Sequence, residues 1–167
     1  MPIILAQFTA PSYFASMQEI HKDLLTFVEQ SIPFHKLLGI RVEHAVPGFA
    51  RVRLPYQDAF CGNMARGALH GGVTAVLVDI CGAVALWTHF GPLDKTATID
   101  MRVDYQRPAP FDDLLAEGEV RVMGNRIASV HVRVTAAAAP DQLIAEGRCV
   151  YYVKRVPQQP ETAGTPE

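Results

Sequence analysis

Asp79 is the one carboxylate in a run from Gly71 to Thr88 that is otherwise almost free of charge. Taking an unpaired carboxylate out of water costs several kcal/mol unless partners or a proton are supplied. The neighbours Val76, Leu77, Val78, Ile80, Cys81 and Ala83 supply none. Such a group is either a structural acceptor bonded to a nearby strand or loop, or a general base or nucleophile held in a dry site. The run opens with His70-Gly71-Gly72. If it is a helix, its first turn carries unpaired N–H donors and a partial positive charge, and glycines there let a substrate oxygen approach the backbone. That suits an oxyanion forming at a carbonyl, although alone it fits an ordinary helix start equally well.

Spacing connects the two features. His70 and Asp79 stand nine positions apart, about 13–14 Å along one helix at ~1.5 Å per residue. A base and an oxyanion donor acting on one carbonyl must both lie within roughly 3–4 Å of it. One chain therefore cannot bring both to the same atom. Two such helices, antiparallel across a two-fold axis, set Asp79 of one beside Gly71 of the other and give two equivalent sites per dimer.

The surrounding elements follow from periodicity. Ser16-Met-Gln-Glu19 reads as a capping box, followed by Met17, Ile20, Leu24, Phe27 and Val28 on one helical face, with Pro33 ending the helix. Strands are expected at Ile40–His44 and Phe49–Leu54 around a Val46-Pro47-Gly48 turn, then a loop over 55–69. After the 71–88 helix and a break at Gly91-Pro92, four strands alternate: Ile99 to Tyr105, Ala116 to Val122, Ala128 to Val134 and Ala145 to Val153. Gly124-Asn125 and Pro140-Asp141 read as the turns that make the last three antiparallel neighbours. Each strand has one apolar face to cover, and the 71–88 helix, apolar nearly all round, must be enclosed. An α+β fold results, a curved antiparallel sheet wrapped around one central helix. The domain reading is an N-terminal helical extension at 1–33, the main domain at 34–155 and a disordered tail at 156–167.

Composition removes other classes. A chain of 167 residues with 49% apolar and 19% charged residues can bury a core. Fifteen Lys and Arg against 17 Asp and Glu leave a formal charge of −2, poorly suited to gripping a nucleic-acid backbone. The 71–88 run, with two glycines at its start and a carboxylate at its middle, reads as a buried helix and not a membrane span of about 20 apolar residues. The apolar first ten residues lack the basic start of a secretory signal. Cys61, Cys81 and Cys149 are odd in number and lack metal-type spacing, which fits unpaired thiols in a reducing compartment, Cys81 and Cys149 as small core residues. The six His form no metal motif, so neither a metal nor a cofactor is expected.

His70-Gly-Gly-Val-Thr-Ala-Val-Leu-Val-Asp79, followed by Thr98-Ile-Asp-Met-Arg-Val-Asp-Tyr-Gln-Arg-Pro108, resembles the hotdog-fold thioesterase superfamily, in its phenylacetyl-CoA thioesterase-like branch. The resemblance covers about residues 34 to 154. It implies a hotdog fold with about six strands, to which the N-terminal helix is an addition. It implies that Asp79 is the catalytic carboxylate, activating water or attacking the thioester carbonyl. By the same resemblance Gly71 N–H is the oxyanion donor, His70 orients the thioester, and Gly72 lies against the substrate. Many members carry an Asn in the preceding loop, which here maps to Asn63, seven residues before His70, where six is commonest and Met64 stands. A hydroxyl on the strand after the helix maps to Thr98, although strand parity places Thr98 with Asp100 and Arg102, away from the apolar face.

The implied substrate is an acyl-CoA, whose CoA is part of the substrate and no cofactor. Its phosphates call for basic residues, for which Arg102, Arg107 and Arg126 are candidates against a reading as solvated surface charges. The acyl group would touch residues such as Val73, Leu77 and Trp87, and the N-terminal helix either caps that pocket or covers a sheet edge. The expectation is thus a cytoplasmic acyl-CoA thioesterase, a homodimer assembled into a homotetramer, with no nucleic-acid or membrane partner. The alternatives are a hotdog hydratase or dehydratase, and an acyl-CoA-sensing protein without turnover.

Overall fold

In the computed structural model, residues 22–89 and 95–154 are described. The capping box at Ser16–Glu19, with Met17 and Ile20, the Gly91-Pro92 break and the tail from 156 lie outside them.

Helix α1 (Lys22–Thr26) continues through a wider π turn, Phe27–Ser31. Of its expected apolar face, Leu24 and Val28 are buried, and Phe27 sets its ring edge-on against Trp87 at 5.2 Å. Pro33 does more than end this helix. It opens a second one, α2 (Pro33–Leu38), at the first helical position, where a fixed φ and a missing N–H cost nothing. Gly39, with φ 71°, closes α2 and turns the chain into the sheet.

Strands β1 (Arg41–Val46) and β2 (Phe49–Leu54) form a hairpin. The expected loop over 55–69 holds a small ribbon, β3 (Cys61–Asn63) with β4 (Ala68–Leu69). Helix α3 (Gly71–Trp87) follows, then β5 (Lys95–Tyr105), β6 (Leu114–Met123), β7 (Ile127–Ala136) and β8 (Ala139–Lys154). The six long strands make one antiparallel sheet in the order β1-β2-β6-β7-β8-β5. Helix α3 packs against all six, as the expected sheet around a central helix requires.

Alternation predicts the inward residues of β7 and β8 correctly: Ala128, Val130, Val132 and Val134, and Ala145, Cys149, Tyr151 and Val153, are all buried. Each fully buried aliphatic side chain stabilises the fold by about 1.5–3 kcal/mol. Alternation fails where a strand bulges. In β6 the register shifts between Val120 and Val122, which leaves Val122 exposed. The turn expected at Pro140-Asp141 falls instead at Ala137-Ala138. Two acidic residues of the preceding loop hold it there: Asp112 Oδ2 accepts from Ala138 N–H at 2.9 Å and the Asp113 carbonyl accepts from Ala137 N–H at 2.9 Å.

Among the described residues, one edge of the sheet is covered and the other carries no further strand. Glu29, in the N-terminal segment, accepts from Val42 N–H of edge strand β1 at 2.8 Å and pairs with Arg41 at 3.3 Å. Strand β5, eleven residues long, pairs with β8 on one side only, and its Ile99 and Tyr105 are exposed. None of the described helices is long and apolar enough to cross a membrane.

Candidate active site

The start of α3 is anchored before its first turn. His70 N–H donates to the Phe60 carbonyl at 2.8 Å, and Leu69 N–H to Ala109 at 2.8 Å. Strand β3 lies so close that a Cβ on Gly62 would stand 2.5 Å from His70 Cα, so only glycine allows this approach. The His70 side chain then caps its own helix, Nδ1 accepting from Gly72 N–H at 3.0 Å. An accepting Nδ1 puts the proton of the neutral ring on Nε2, so His70 presents an N–H donor outward from an exposed position. Val73 N–H is taken by the His70 carbonyl at 2.9 Å. With Gly72 and Val73 committed, the Gly71 N–H is the one of these three with no bond to another described residue. Its own carbonyl accepts from Tyr105 Oη at 2.9 Å, which ties the helix start to the end of β5.

Asp79 is half-buried on the single chain, and its Oδ1 accepts from Thr98 Oγ1 of strand β5 at 2.8 Å. Strand parity had turned Thr98 away from the helix. The ladder between β5 and β8 slips between Thr98 and Asp100, so Thr98 and Met101 pair with the inward residues Tyr151 and Cys149 while Ile99 is exposed. The bulge re-aims one hydroxyl onto the carboxylate, a frequent use of bulges near functional sites. The backbone of Asp79 is held as well: its carbonyl accepts from buried Tyr151 Oη at 2.9 Å. That bond needs Gly82, because a Cβ there would collide with the Tyr151 hydroxyl.

The remaining expected residues divide by place. Asn63 lies in β3, paired with Ala68 just before His70, and its Oδ1 caps the turn at Arg66 N–H, 3.1 Å away. Arg107 lines a groove of about 320 Å³ with Gly71, Thr74, Tyr105 and Gln106, its guanidinium donating to the Leu143 carbonyl at 2.7 Å. Arg102 is not brought there. It pairs with Arg148 on the outer face of the sheet and is bonded to Asp104 at 2.9 Å. Arg126 sits exposed in the β6–β7 turn, its carbonyl accepting from Val153 N–H at the opposite end of the sheet.

On its other side the helix start borders a second, more apolar groove of about 440 Å³, lined by Phe34, Leu38, Leu54, Val73 and Val76 with His70 and Gly72. Of the three residues expected to touch an acyl group, Val73 lines this groove, whereas Leu77 is core and Trp87 packs on Phe27. The sequence reading missed Phe34 and Leu38 as groove residues. Their signal was weak, an apolar pair after a proline with no strand alternation. Buried thiols take no part: burial raises the Cys149 thiol to about 11 and Cys81 further, so neither yields a thiolate near neutrality.

Residues 66–141 match the family model of the thioesterase superfamily. The chain is 32% identical over 136 residues to a medium/long-chain acyl-CoA thioesterase, YigI, of Salmonella typhimurium, covering 73% of this chain and 86% of that one. It is 30% identical to human acyl-coenzyme A thioesterase 13 over 136 residues, covering 80% of this chain and 94% of the relative. Among solved structures, a Shewanella oneidensis protein related to the thioesterase superfamily superposes with a TM-score of 0.68 at 28% identity, over 78% of this chain and 93% of that one. A sheet wrapped on a helix that starts at His70-Gly71, together with these relationships, places the chain in the thioesterase superfamily, with the hotdog fold.

Proposed function

We propose that this thioester hydrolase cleaves acyl-CoA to a carboxylic acid and CoA, at sites each assembled from two copies of the chain. The observation that carries the proposal is the placement of two complementary groups on one open face of α3. Gly71 offers its N–H at one end, and Asp79, oriented by Thr98, stands eight residues on, about 12 Å away at ~1.5 Å per residue. That distance is too long for one carbonyl. Between them the face is lined by small or half-buried residues, Gly72, Ala75, Val76 and then Ala83, so a second helix can lie close. Strand β5 beside it, eleven residues long, has no second strand partner among the described residues, an edge of the kind that natural sheets protect or pair. Antiparallel pairing of two β5 strands would continue the sheet and set the two α3 helices side by side.

In the mechanism, the thioester carbonyl oxygen accepts from Gly71 N–H and from His70 Nε2–H, with the α3 dipole favouring negative charge there. Asp79 of the partner subunit takes a proton from water as the water oxygen bonds to the carbonyl carbon. The tetrahedral oxyanion rests on Gly71. Its collapse breaks the C–S bond, and the proton on Asp79 passes to the departing CoA sulfur. The Thr98 hydroxyl fixes one carboxylate oxygen and leaves the other to the water. Asn63, whose amide donors are not used in capping, stands beside the same helix start. The groove beside Gly71 and Arg107 receives the CoA arm, the guanidinium meeting a phosphate. Arg102 and Arg126 face away from that groove and have no part in this assignment.

Thiol release from a panel of acyl-CoAs by wild type and Asp79→Asn tests the proposal. Removing a positioned base costs about 10²–10⁴ in kcat. A folded Asp79→Asn protein with full activity would overturn the mechanism.

A further inference from the structure

We propose that Tyr105 is a positioning residue for His70: through the peptide group between Gly71 and Gly72, its hydroxyl holds the His70 ring in the form that presents Nε2–H to the thioester oxygen. This rests on the hydrolase proposal above and adds a residue to its machinery. Tyr105 Oη lies 2.9 Å from the Gly71 carbonyl oxygen, and Gly72 N lies 3.0 Å from His70 Nδ1. Chemistry fixes both directions. A carbonyl can only accept, so the phenol donates, and a backbone N–H can only donate, so Nδ1 accepts. The carbonyl of Gly71 and the N–H of Gly72 belong to one planar peptide unit, in which resonance couples oxygen to nitrogen. A proton donated to the oxygen draws electron density from the nitrogen and makes the N–H a stronger donor, by about 10–30% per bond in such chains. The stronger that donor, the more firmly Nδ1 is kept free of a proton, and the one proton of the neutral ring stays on Nε2. Gly71 N–H belongs to the preceding peptide unit, so Tyr105 acts on the imidazole and not on the other oxyanion donor.

Two further observations separate this role from an ordinary tie between strand and helix. Gly71 is the first residue of α3, so its carbonyl already faces an intrahelical N–H four residues on, and the groups a helix start leaves unpaired are N–H groups. The Tyr105 hydroxyl therefore relieves no orphan of the helix. Tyr105 is itself 52% exposed, where water would satisfy the hydroxyl equally well, and fixing such a side chain costs rotamer freedom. Strand β5 also sends a second hydroxyl to α3, and both end at the proposed chemistry. Thr98 bonds the Asp79 carboxylate, and Tyr105 bonds the peptide that bonds His70. One strand thus orients the base at one end of the helix face and the imidazole donor at the other.

Nitrogen-15 NMR of histidine-labelled protein reads the ring directly and needs no turnover. At about pH 8.5, above the ordinary histidine range, wild-type His70, identified by its loss in His70→Gln, should show a bare Nδ1 and a protonated Nε2. Tyr105→Phe keeps the ring beside Gly71 and removes the hydroxyl; the share of the Nδ1–H form should then rise about threefold. In the same variant kcat for thiol release should fall about three- to tenfold, the worth of one neutral hydrogen bond. KM should stay within about twofold, because the ring still lines the groove beside Gly71 and Arg107. In a His70→Ala background the same substitution should change kcat by less than about 1.5-fold, since its route is gone. An unchanged tautomer overturns the assignment. So does a raised KM with kcat intact, which would make Tyr105 a substrate contact, or an equal kcat loss with and without His70, which would make it a plain helix tie. The expected tautomer shift in a protein that hydrolyses no acyl-CoA would instead overturn the hydrolase proposal and leave the coupling of Tyr105 to His70 standing.

Discussion

Replacing Gly71 by proline removes one hydrogen and little else. Gly71 is the first helical residue of α3, the position at which proline is best tolerated. His70, the residue before it, has φ −66° and ψ 133°, inside the extended region that proline imposes on its predecessor. A Cβ at 71 would meet the Tyr105 ring at 3.5 Å, an ordinary contact. The fold should therefore accept Gly71→Pro and gain about 0.4–1 kcal/mol from a stiffer unfolded chain, or roughly 1–4 °C in Tm for a protein of this size. The lost N–H is the one left over after His70 Nδ1 takes Gly72 and the His70 carbonyl takes Val73. Loss of one oxyanion donor costs about 10²–10³ in kcat, or 2.7–4 kcal/mol. Steady-state thiol release and a thermal melt on the same preparation should thus move in opposite directions, activity down and Tm up. Gly71→Ala, which keeps the N–H, should stay at least tenfold above the proline variant on the scale of that loss. A proline variant that melts higher yet keeps kcat within about threefold of wild type, against the loss expected, would refute the assignment of Gly71.

Three further outcomes are expected. Thr98→Val should lower kcat about tenfold or more, since a hydrogen bond to a charged group is worth about 1.5–3 kcal/mol, with KM little changed and Thr98→Ser restoring activity; kcat and KM measured together check this. Gly82→Ala should cost about 1–3 kcal/mol in denaturant unfolding because the methyl overpacks against the Tyr151 hydroxyl, and adding Tyr151→Phe should recover part of that loss; strict additivity would contradict the packing described. Burial holds His35 below its ordinary value, against the opposing pull of the Val28 carbonyl and Asp79, and burial likewise lowers His131. Both rings resist protonation in the folded state, so stability is complete above about pH 6.5 and falls as pH drops from there through their folded values. His35→Gln should reduce, and not abolish, the fall in Tm between pH 7.5 and 5.5 read in parallel melts.

The architecture was legible where one period ran unbroken. Helix α3 showed itself as an apolar run with a helix-start motif, and β7 and β8 as clean alternations whose inward residues are buried. Legibility stopped where a distant contact overrode the local pattern. Thr98 reads as outward in β5 and faces inward because the ladder with β8 slips beside it, and no local period encodes a bulge. Pro140-Asp141 carries turn chemistry, yet Asp112 and Asp113, in another loop, move the turn to Ala137-Ala138. Within the candidate site, Gly71 and Asp79 stood out because a helix start and a lone carboxylate in an apolar run are local features, whereas the role proposed for His70 came from the resemblance. The partner that Asp79 finds, and the convergence of Phe34 and Leu38 on the groove, depend on how separate elements pack. Among the arginines, Arg107 could not be told from Arg102 and Arg126 without knowing which end of the sheet faces the helix start.

Sharing of each site between chains is the claim on which the mechanism depends, and subunit mixing tests it most directly. Gly71→Pro and Asp79→Asn proteins, each inactive alone, are unfolded and refolded together in equal amounts, and thiol release is followed. Random pairing makes half the dimers mixed, each with one intact site of two, so about a quarter of wild-type activity should return. If each chain carried a complete site of its own, mixing would restore nothing, and a mixture as inactive as its components, with mixed dimers confirmed by mass, would contradict the account.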